Sequence, residues 1–339
     1  MTPALRVGIA GLGRMGRRHA ENLAHRVPDA ELVAACSPEP GELEFAEREL
    51  GVALTYTDYA AMLAEADVDA VFIVSPTTVH AQQIVEALRA RKHVFSEKPL
   101  SLDIAECRRV EAEAALQPDL KVMIGFVRRF DESYRHAYTL VRDGAVGRPL
   151  MVRSHTLDMH DPSGFFVRYS EASGGMFVDM SVHDIDAARW LLGVGDVARV
   201  FATGMVAVHE GLREFRDVDN GVATCEFATG EIATIYASRT MAHGFECATE
   251  VIGTKGRILI GGDARCDHVV ISDAHGVRHP CTPTFYERFA DAFLREDIEF
   301  VEAVIEDRAP PLTLRDATEA TRIALAMRQS LLERRVVSI

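Results

Sequence analysis

The sequence lacks the excess of basic residues that is typical of proteins binding nucleic acid or anionic membranes. It contains 37 Lys and Arg residues and 51 Asp and Glu residues, and its formal charge is −14. This negative charge argues against both kinds of partner. No apolar run approaches the roughly 20 residues of a transmembrane helix. The first predicted strand begins so early that it leaves no room for a signal peptide. We therefore expect a soluble, cytoplasmic protein.

The cysteines lack any metal-binding or redox pattern. Six are present, with no C-x-x-C pair and no zinc-like cluster, so we expect free thiols in a reducing compartment. The sequence also contains no internal repeat and no low-complexity segment. With 339 residues, 48% of them hydrophobic, the chain is long enough to bury a substantial core and to form two domains.

A glycine-rich turn lies close to the start of the chain. Residues 7–10 (VGIA) predict a short buried strand, Gly11, Gly13 and Gly16 follow in G-x-G-x-x-G spacing, and a helix is predicted to open near Arg14. Such glycines permit a tight turn, close backbone approach to a pyrophosphate and close packing of helix on strand. The helix N-terminus attracts the phosphates. A purely structural turn is the alternative, but the order of strand, glycines and helix favours a dinucleotide site.

The first third of the chain alternates strands with helices. Further strands are predicted at residues 31–36, 70–74, 93–96 and 121–125, and helices at 40–50, around 84–88 and at 103–116. Right-handed crossovers between such strands give a doubly wound parallel sheet, with ligands at the C-terminal strand ends. We predict an α/β Rossmann domain over residues 1–125.

The pattern changes after residue 125. A long helix is predicted at 175–192, strands at 197–209, 221–227, 231–239, 247–252 and 257–260, and two final helices at 285–307 and 314–334. Thr229-Gly230 and Gly261-Gly262 are interpreted as turns between neighbouring strands. We predict an α+β substrate and oligomerisation domain over residues 126–339, with a large, mostly antiparallel open sheet. A sheet with one uncovered face favours a homo-oligomer, a dimer or tetramer.

Three polar residues share a helical spacing in the second domain. Asp179, His183 and Asp186 are spaced i, i+4 and i+7, which would place them on one helix face. An imidazole beside a carboxylate suits a general base near neutral pH, and the apolar surroundings disfavour a merely solvated face. The alternative is a metal site at Asp179 and His183, with His155, Asp158 or His160 as further ligands; acid–base chemistry is favoured.

Two other stretches carry charged side chains at informative places. Lys98 of Glu97-Lys98-Pro99 follows a predicted parallel strand, so its ammonium is expected in the ligand crevice, where it would stabilise an alkoxide. A surface lysine is the commoner alternative. Arg128 and Arg129 lie at the domain junction, where they would either clamp a polar substrate or pair with acidic neighbours.

Together, the glycine motif, EKP at 97–99, GFVRRFD at 125–131 and GGMFVDMSVHDID at 174–186 resemble the Gfo/Idh/MocA oxidoreductase family, most closely its inositol-oxidising branch. The resemblance runs through nearly the whole chain. It implies that Lys98, Asp179 and His183 are the catalytic residues, that no metal is needed, and that the Lys98–Pro99 peptide is a candidate for the cis form.

The resemblance also implies a reaction and a set of contacts. His183 would remove the proton of a secondary hydroxyl of myo- or scyllo-inositol, Lys98 would stabilise the same oxygen, and Asp179 would orient His183 or accept a substrate hydroxyl, giving the ketone. The expected cofactor contacts are Gly11, Gly13, Arg14, Met15, Gly16, Ser37, Ser75, Pro76, Thr77, His80, Glu97 and Lys98. The expected substrate contacts are Lys98, Arg128, Asp158, His160, Asp179, His183, Asp186 and His243.

One position departs from the family pattern. NAD-preferring members carry an acidic residue at the end of the second strand, where this chain has Ser37. Serine there is compatible with NADP, but no arginine lies between Ser37 and Glu47 to bind the 2′-phosphate. Four glutamates crowd the region instead, at positions 39, 42, 44 and 47. We therefore expect NAD as the cofactor, with NADP not excluded.

Other functions remain compatible with these residues. A pyranose sugar would suit the same chemistry as an inositol. An NAD-dependent glycoside hydrolase would use a transient hydride transfer and accumulate no NADH. A non-catalytic dinucleotide sensor should lack the acid–base residues that this chain has. The fold does not decide between these functions, because the site does.

Overall fold

The computed structural model describes residues 4–339 and forms two compact units. Unit 1 contains the described residues up to Val127 together with Asp291–Thr318, and unit 2 contains Arg128–Ala290 and Glu319–Ile339. The sequence prediction divided the chain at 125/126 and gave residues 291–318 to the second domain. This segment belongs to unit 1 because its Phe300 packs edge-on against Phe72 and Phe95, at centroid distances of 5.3 and 5.9 Å.

Unit 1 is organised around a six-stranded parallel sheet. Its strands are β1 (Leu5–Ala10), β2 (Ala30–Cys36), β3 (Leu54–Tyr56), β4 (Ala70–Ile73), β5 (His93–Glu97) and β6 (Val122–Gly125). The connecting helices are α1 (Arg14–His25), α2 (Pro40–Glu49), α3 (Tyr59–Glu65), α4 (Thr77–Arg89) and α5 (Ile104–Ala115). The strand order is β3-β2-β1-β4-β5-β6. It reverses direction between β1 and β4, which is where such sheets bind ligands.

The predicted Rossmann architecture is confirmed. Strands β4 and β6 are buried along their whole length, as expected of parallel strands covered on both faces. Asp103 caps α5, since its carboxylate accepts a hydrogen bond from the Ala105 N–H at 2.7 Å. The Glu106 carboxylate in the first turn of this helix accepts a hydrogen bond from Ser101 Oγ at 2.6 Å. The sequence analysis missed β3 and α3, which are only three and seven residues long.

Unit 2 combines a large sheet with helices, and the last two helices of the chain belong partly to unit 1, which contains residues 291–318. The elements after β6 are a 3-10 helix (Val127–Phe130), α6 (Glu132–Arg142), β7 (Pro149–Met159), α7 (Phe165–Ser173), α8 (Met176–Asp179), α9 (Ser181–Leu192), β8 (Val197–Met205), a 3-10 helix (Glu210–Phe215), β9 (Asn220–Phe227), β10 (Ile232–Met241), β11 (Glu246–Gly253), β12 (Gly256–Gly261), β13 (Ile271–Asp273), β14 (Gly276–Arg278), α10 (Phe285–Ile305), α11 (Leu314–Glu333) and β15 (Val337–Ser338). No helix within residues 4–339 is long and apolar enough to cross a membrane.

The sheet of unit 2 is mixed and mostly antiparallel, which confirms the prediction. Its order is β12-β11-β7-β10-β9-β8-β15, and only β7 and β10 run parallel to each other. Their C-terminal ends therefore meet at one edge of the sheet. The interior strand β7, third in this order, was missed in the sequence analysis. Helix α9 packs against β7 and β10 on one face of the sheet.

Three predicted elements need correction. The single helix at 175–192 is interrupted at Met180, where φ is −96° and ψ is −54°. The predicted strand at 197–209 ends at Met205, because the Asp219 carboxylate accepts hydrogen bonds from three successive backbone N–H groups at 207–209 and turns the chain. Gly261-Gly262 does not join neighbouring strands; β11 and β12 are joined between Gly253 and Gly256.

Candidate active site

The glycine-rich turn of unit 1 lies where the order of strands reverses. Gly11 has φ +90°, and a Cβ at this position would lie 2.6 Å from the Ser75 backbone nitrogen. A Cβ on Gly16 would lie 2.0 Å from the Gly11 carbonyl oxygen. Among residues 4–339, no side chain caps the N-terminus of α1 at Gly13, so the cap position leaves its N–H groups available to a ligand. This backbone cradle fits a dinucleotide pyrophosphate.

The other predicted cofactor residues of unit 1 lie on the same edge of the sheet. Arg14 and Met15 are the first residues of α1, and residues 75–77 follow β4, the parallel neighbour of β1. His80 has a supporting place, since its ring nitrogens lie 2.9 Å from the Pro99 carbonyl and 2.8 Å from the Ser75 carbonyl. Burial lowers the pKa of His80 although both carbonyls favour the charged ring. His80 thus joins the two loops that follow β4 and β5.

Lys98 is half-buried directly after β5, and the peptide bond to Pro99 is cis, as the resemblance implied. Its own backbone N–H donates to Glu97 Oε2 at 3.0 Å. The other oxygen of Glu97 lies 3.1 Å from Nε2 of His19, whose Nδ1 lies 2.7 Å from Asp297 Oδ1. A chain of buried polar groups therefore fixes the backbone from which the Lys98 ammonium extends.

The charges of this buried network are set by its members. Burial lowers the pKa of His19, but Asp297 and Glu97 overcome this and raise it well above the usual value. Burial raises the pKa of Glu97, but His19 and Lys98 outweigh it and the net direction is downward. Glu296 is fully buried without a hydrogen-bond partner for either oxygen among the described residues. Burial and the charge of Glu97 raise its pKa well above the usual range.

The described residues also contain one group of side chains with metal-ligating spacing. His19, Glu97 and Glu296 offer atoms within 4.8 Å of one another. Because His19 Nε2 already lies at hydrogen-bonding distance from Glu97, we assign these three side chains to the buried network described above and not to a metal site. The metal alternative considered from the sequence was a site at Asp179 and His183, with His155, Asp158 or His160 as further ligands. Of these residues, Asp179 pairs with Arg239 and His155 with Glu246 in unit 2.

Ser37 stands where the family has an acidic residue, and its hydroxyl is already used in a hydrogen bond within the protein. It is 1% exposed at the end of β2, and its Oγ donates to Glu42 Oε2 at 2.6 Å. The same carboxylate oxygen accepts the Leu12 N–H of the glycine turn at 3.2 Å. The sequence analysis noted Glu42 only as one of four glutamates, since a residue in α2 has no fixed spacing from the glycine turn.

In unit 2, a pair of glycines sets the start of α8. Gly174 and Gly175 have φ values of +78° and +87°, and a Cβ on Gly175 would lie 3.0 Å from Asp217 Oδ1. This close approach lets Asp217 accept the Met176 N–H at 3.1 Å and the Ser170 hydroxyl at 2.7 Å. The turn thereby positions α8, whose last residue is Asp179.

Asp179 has a buried cationic partner. Arg239 of β10 is 0% exposed, and its Nη2 donates to Asp179 Oδ2 at 2.6 Å. The ring of Phe166 lies over the guanidinium, 4.8 Å from its carbon. Asp179 and His183 are both half-buried and lie on either side of Met180. A held carboxylate followed four residues later by a half-buried imidazole is suited to moving a proton.

The arginines at the start of unit 2 pair with acidic residues, which was one of the two alternatives left open by the sequence. Arg128 donates to Asp184 Oδ1 at 2.7 Å, and both side chains are at most 3% exposed. Arg129 binds Asp186 through two hydrogen bonds of 2.8 and 2.6 Å. Asp186 is 1% exposed, so it does not share the half-buried position of Asp179 and His183. These pairs favour a supporting role for Arg128 and Asp186.

The remaining predicted substrate residues lie near the shared edge of β7 and β10. Asp158 and His160 are half-buried at the end of β7, and the His160 N–H donates to the Met241 carbonyl at 2.8 Å. His243 is exposed, and its Nε2 lies 3.1 Å from Glu246 Oε2. Since β10 also carries Arg239, unit 2 gathers these polar side chains with Asp179 at one edge.

Two residues important for this geometry had no recognisable signal in the sequence. His19 and Arg239 each pair with a partner far along the chain, at separations of 278 and 60 residues. An unusual buried arginine cannot be told from a surface arginine by spacing. Glu296 and Asp297 likewise lie on a helix whose charged residues suggest a solvated face.

Two models of one protein family match the chain. The NAD-binding Rossmann-fold model of the Gfo/Idh/MocA oxidoreductase family matches residues 5–126, and the Gfo/Idh/MocA C-terminal domain model matches residues 134–259. Together the two models cover the six-stranded sheet of unit 1 and, except for β15 and the end of β12, the seven-stranded sheet of unit 2.

Similar proteins match over almost the whole length. The chain is 36% identical to scyllo-inositol 2-dehydrogenase (NAD(+)) of Bacillus subtilis, over 97% of this chain and 95% of that protein. It is 35% identical to myo-inositol 2-dehydrogenase of Thermotoga maritima, over 99% of this chain and 98% of that protein. The structure of scyllo-inositol dehydrogenase from Lactobacillus casei with bound NAD(H) and scyllo-inositol superposes with a TM-score of 0.95 at 39% identity, covering 99% of both chains.

Proposed function

Because this chain belongs to the Gfo/Idh/MocA oxidoreductase family, we propose that it is an NAD-dependent dehydrogenase of a cyclic polyol. The substrate class is myo- or scyllo-inositol, oxidised at one secondary hydroxyl to the ketone. The observation that carries this proposal is the pair Asp179 and His183, with Asp179 held by the buried Arg239 at 2.6 Å. A dinucleotide sensor would have no use for such an acid–base pair.

The residues of unit 1 supply the cofactor side of the reaction. The backbone cradle at Gly11 and Gly16 fits the pyrophosphate of NAD, which supplies a hydride acceptor when bound. Lys98 is held by the Glu97–His19 network, and its ammonium donates a hydrogen bond to the reacting oxygen. That contact stabilises the negative charge that grows on the oxygen as its proton leaves.

The residues of unit 2 move the proton and hold the substrate. His183 accepts the hydroxyl proton as general base, and Asp179 orients it or accepts a neighbouring hydroxyl. Asp158, His160 and His243 are the further polar contacts that we propose for the polyol. We assign Arg128 and Asp186 to buried pairs that support the α9 helix, and no metal has a role in the reaction.

We further propose a cytoplasmic homo-oligomer, a dimer or tetramer. The sheet face of unit 2 opposite α9 exposes large apolar side chains: Phe201 is 44%, Met205 62% and Leu259 56% exposed. The neighbouring Val200 and Ala202 point the other way and are buried. An apolar face of this kind favours a second copy of the chain as its cover.

The proposal is tested by following NADH absorbance with purified protein and a panel of inositols, hexoses and their acids. We expect net reduction of NAD⁺ with an inositol, and a loss of about 10²–10⁴-fold in kcat in His183→Ala. NAD⁺ binding should be retained in this variant, because His183 does not hold the cofactor. Tight NAD⁺ binding without reduction by any polyol would contradict the proposal.

A further inference from the structure

The Glu42 carboxylate lies at the end of β2, next to Ser37, where the family pattern has an acidic residue. Its Oε2 accepts the Leu12 N–H of the glycine turn and the Ser37 hydroxyl, at 3.2 and 2.6 Å. Oε1 accepts no hydrogen bond from residues 4–339 and lies 3.7 Å from where a Cβ of Gly13 would be. The side chain is half-buried. A fixed carboxylate with one open acceptor atom therefore lies over the glycine turn.

Ser37 itself is occupied. Its single hydroxyl proton goes to Glu42, and its oxygen accepts the Glu39 N–H at 3.1 Å. The backbone of Ser37 is fixed by its N–H, which donates to the Tyr56 carbonyl of β3 at 3.0 Å. The hydroxyl is therefore positioned to orient Glu42 and not to donate to a ligand.

The chemistry of a carboxylate at this place discriminates between two dinucleotides. The adenosine ribose of NAD presents two adjacent hydroxyls, both of which donate well to a carboxylate. In NADP the 2′-hydroxyl is replaced by a phosphate, whose charge has the same sign as that of Glu42. Arg17 lies nearby, but its guanidinium stacks on Phe45 of α2 at 4.5 Å, and its Nε donates to the Leu12 carbonyl.

We propose that Glu42, supplied by α2 and oriented by Ser37, binds the adenosine ribose hydroxyls and excludes the 2′-phosphate, and so determines the preference for NAD over NADP. The inference rests on the proposed dinucleotide function of unit 1. It does not depend on which polyol is oxidised. It also assigns to Ser37 a positioning role in place of the direct cofactor contact predicted from the sequence.

Equilibrium titration of NAD⁺ and NADP⁺ by calorimetry tests the inference without any substrate. Wild type should bind NAD⁺ at least about tenfold more tightly than NADP⁺, the size expected for hydrogen bonds to a charged group. Glu42→Gln should lower this ratio about tenfold, and Glu42→Arg should invert the preference. Glu44→Gln is the matched control, because Glu44 lies on the same helix but pairs with Arg48 at 2.7 Å.

The ratio of the two dissociation constants distinguishes the loss of a direct contact between Glu42 and the ribose from damage to the fold. Damage to the fold would weaken the binding of NAD⁺ and NADP⁺ equally and leave the ratio unchanged. Equal shifts of the ratio in Glu42→Gln and Glu44→Gln would overturn the inference, and so would equal binding of both cofactors by wild type. Binding of neither cofactor would overturn the inference and the proposed function together. A preference for NAD⁺ that Glu42→Gln removes, in a protein that oxidises no polyol, would support the inference and contradict the proposed function.

Discussion

The buried pair of Arg128 and Asp184 allows a prediction whose size follows from its geometry. Asp184 is 0% exposed and accepts hydrogen bonds from Arg128 at 2.7 Å, from Ser154 at 2.5 Å and from Thr156 at 2.8 Å. Asp184→Asn keeps the shape of the side chain but removes its charge. The Arg128 guanidinium, itself 3% exposed, then remains buried without a compensating anion.

Removing one partner of a buried ion pair costs about 3–5 kcal/mol. A unit of this size loses about 2–4 °C of Tm for each kcal/mol. We therefore expect Asp184→Asn to lower the Tm of unit 2 by about 6–20 °C. The double variant Arg128→Met/Asp184→Asn removes the uncompensated charge as well, so it should recover part of the loss.

Thermal unfolding followed by far-UV circular dichroism, with the single and double variants side by side, measures these effects. Asp143→Asn is the matched control, since Asp143 is exposed at the end of α6 and its replacement should change stability by no more than about 0.5 kcal/mol. The reasoning is refuted if Asp184→Asn unfolds within about 2 °C of this control, because that size corresponds to less than about 1 kcal/mol.

Three further predictions concern single residues. The raised pKa of Glu296 means that the folded state keeps a proton that the unfolded state loses, so wild-type stability falls as pH rises above the unfolded value near 4.5. Glu296→Leu should therefore gain stability over wild type between pH 5 and 8, each pKa unit being worth about 1.4 kcal/mol; urea midpoints that differ equally at both pH values would contradict this. Gly11→Ala should abolish NAD⁺ binding in calorimetry, because its Cβ would lie 2.6 Å from the Ser75 nitrogen at φ +90°; binding within about twofold of wild type would contradict it. Arg239→Met should lower kcat about tenfold or more with the Kd for NAD⁺ unchanged, since it releases Asp179. Arg239→Lys should restore part of kcat. A lower kcat together with weaker NAD⁺ binding in Arg239→Met would indicate a merely structural role.

Apolar runs and glycine placement allowed most of unit 1 to be predicted. The AVFIV run at 70–74 and the turn at Gly11 leave few alternatives to a buried parallel strand and a nucleotide-binding turn. Strand β3 was missed because it has only three residues, one exposed and two half-buried, which is too few to show an alternation of apolar and polar side chains. The cis peptide at Lys98–Pro99 came from the family resemblance, since the residues alone do not determine it.

Unit 2 was predicted less fully because its decisive contacts are long-range. Asp179, His183 and Asp186 have helical spacing, but the helix is interrupted at Met180. Asp186 is also bound by Arg129, so it does not lie beside Asp179 and His183 as the spacing predicted. Strand β7 has alternating polar residues whose partners, such as Asp184 for Ser154, lie 30 positions away. The role of Arg239 depends on a β10 register that no local pattern specifies.

The transfer of a hydride from a polyol carbon to NAD⁺ is the central claim, and isotope transfer measures it directly. Wild-type protein is incubated with NAD⁺ and scyllo- or myo-inositol deuterated at carbon, and the reduced cofactor is analysed by mass spectrometry. The account predicts NADH that accumulates with one deuterium per molecule, together with one equivalent of ketone. Cofactor that stays oxidised with every inositol, or NADH without deuterium, would contradict it.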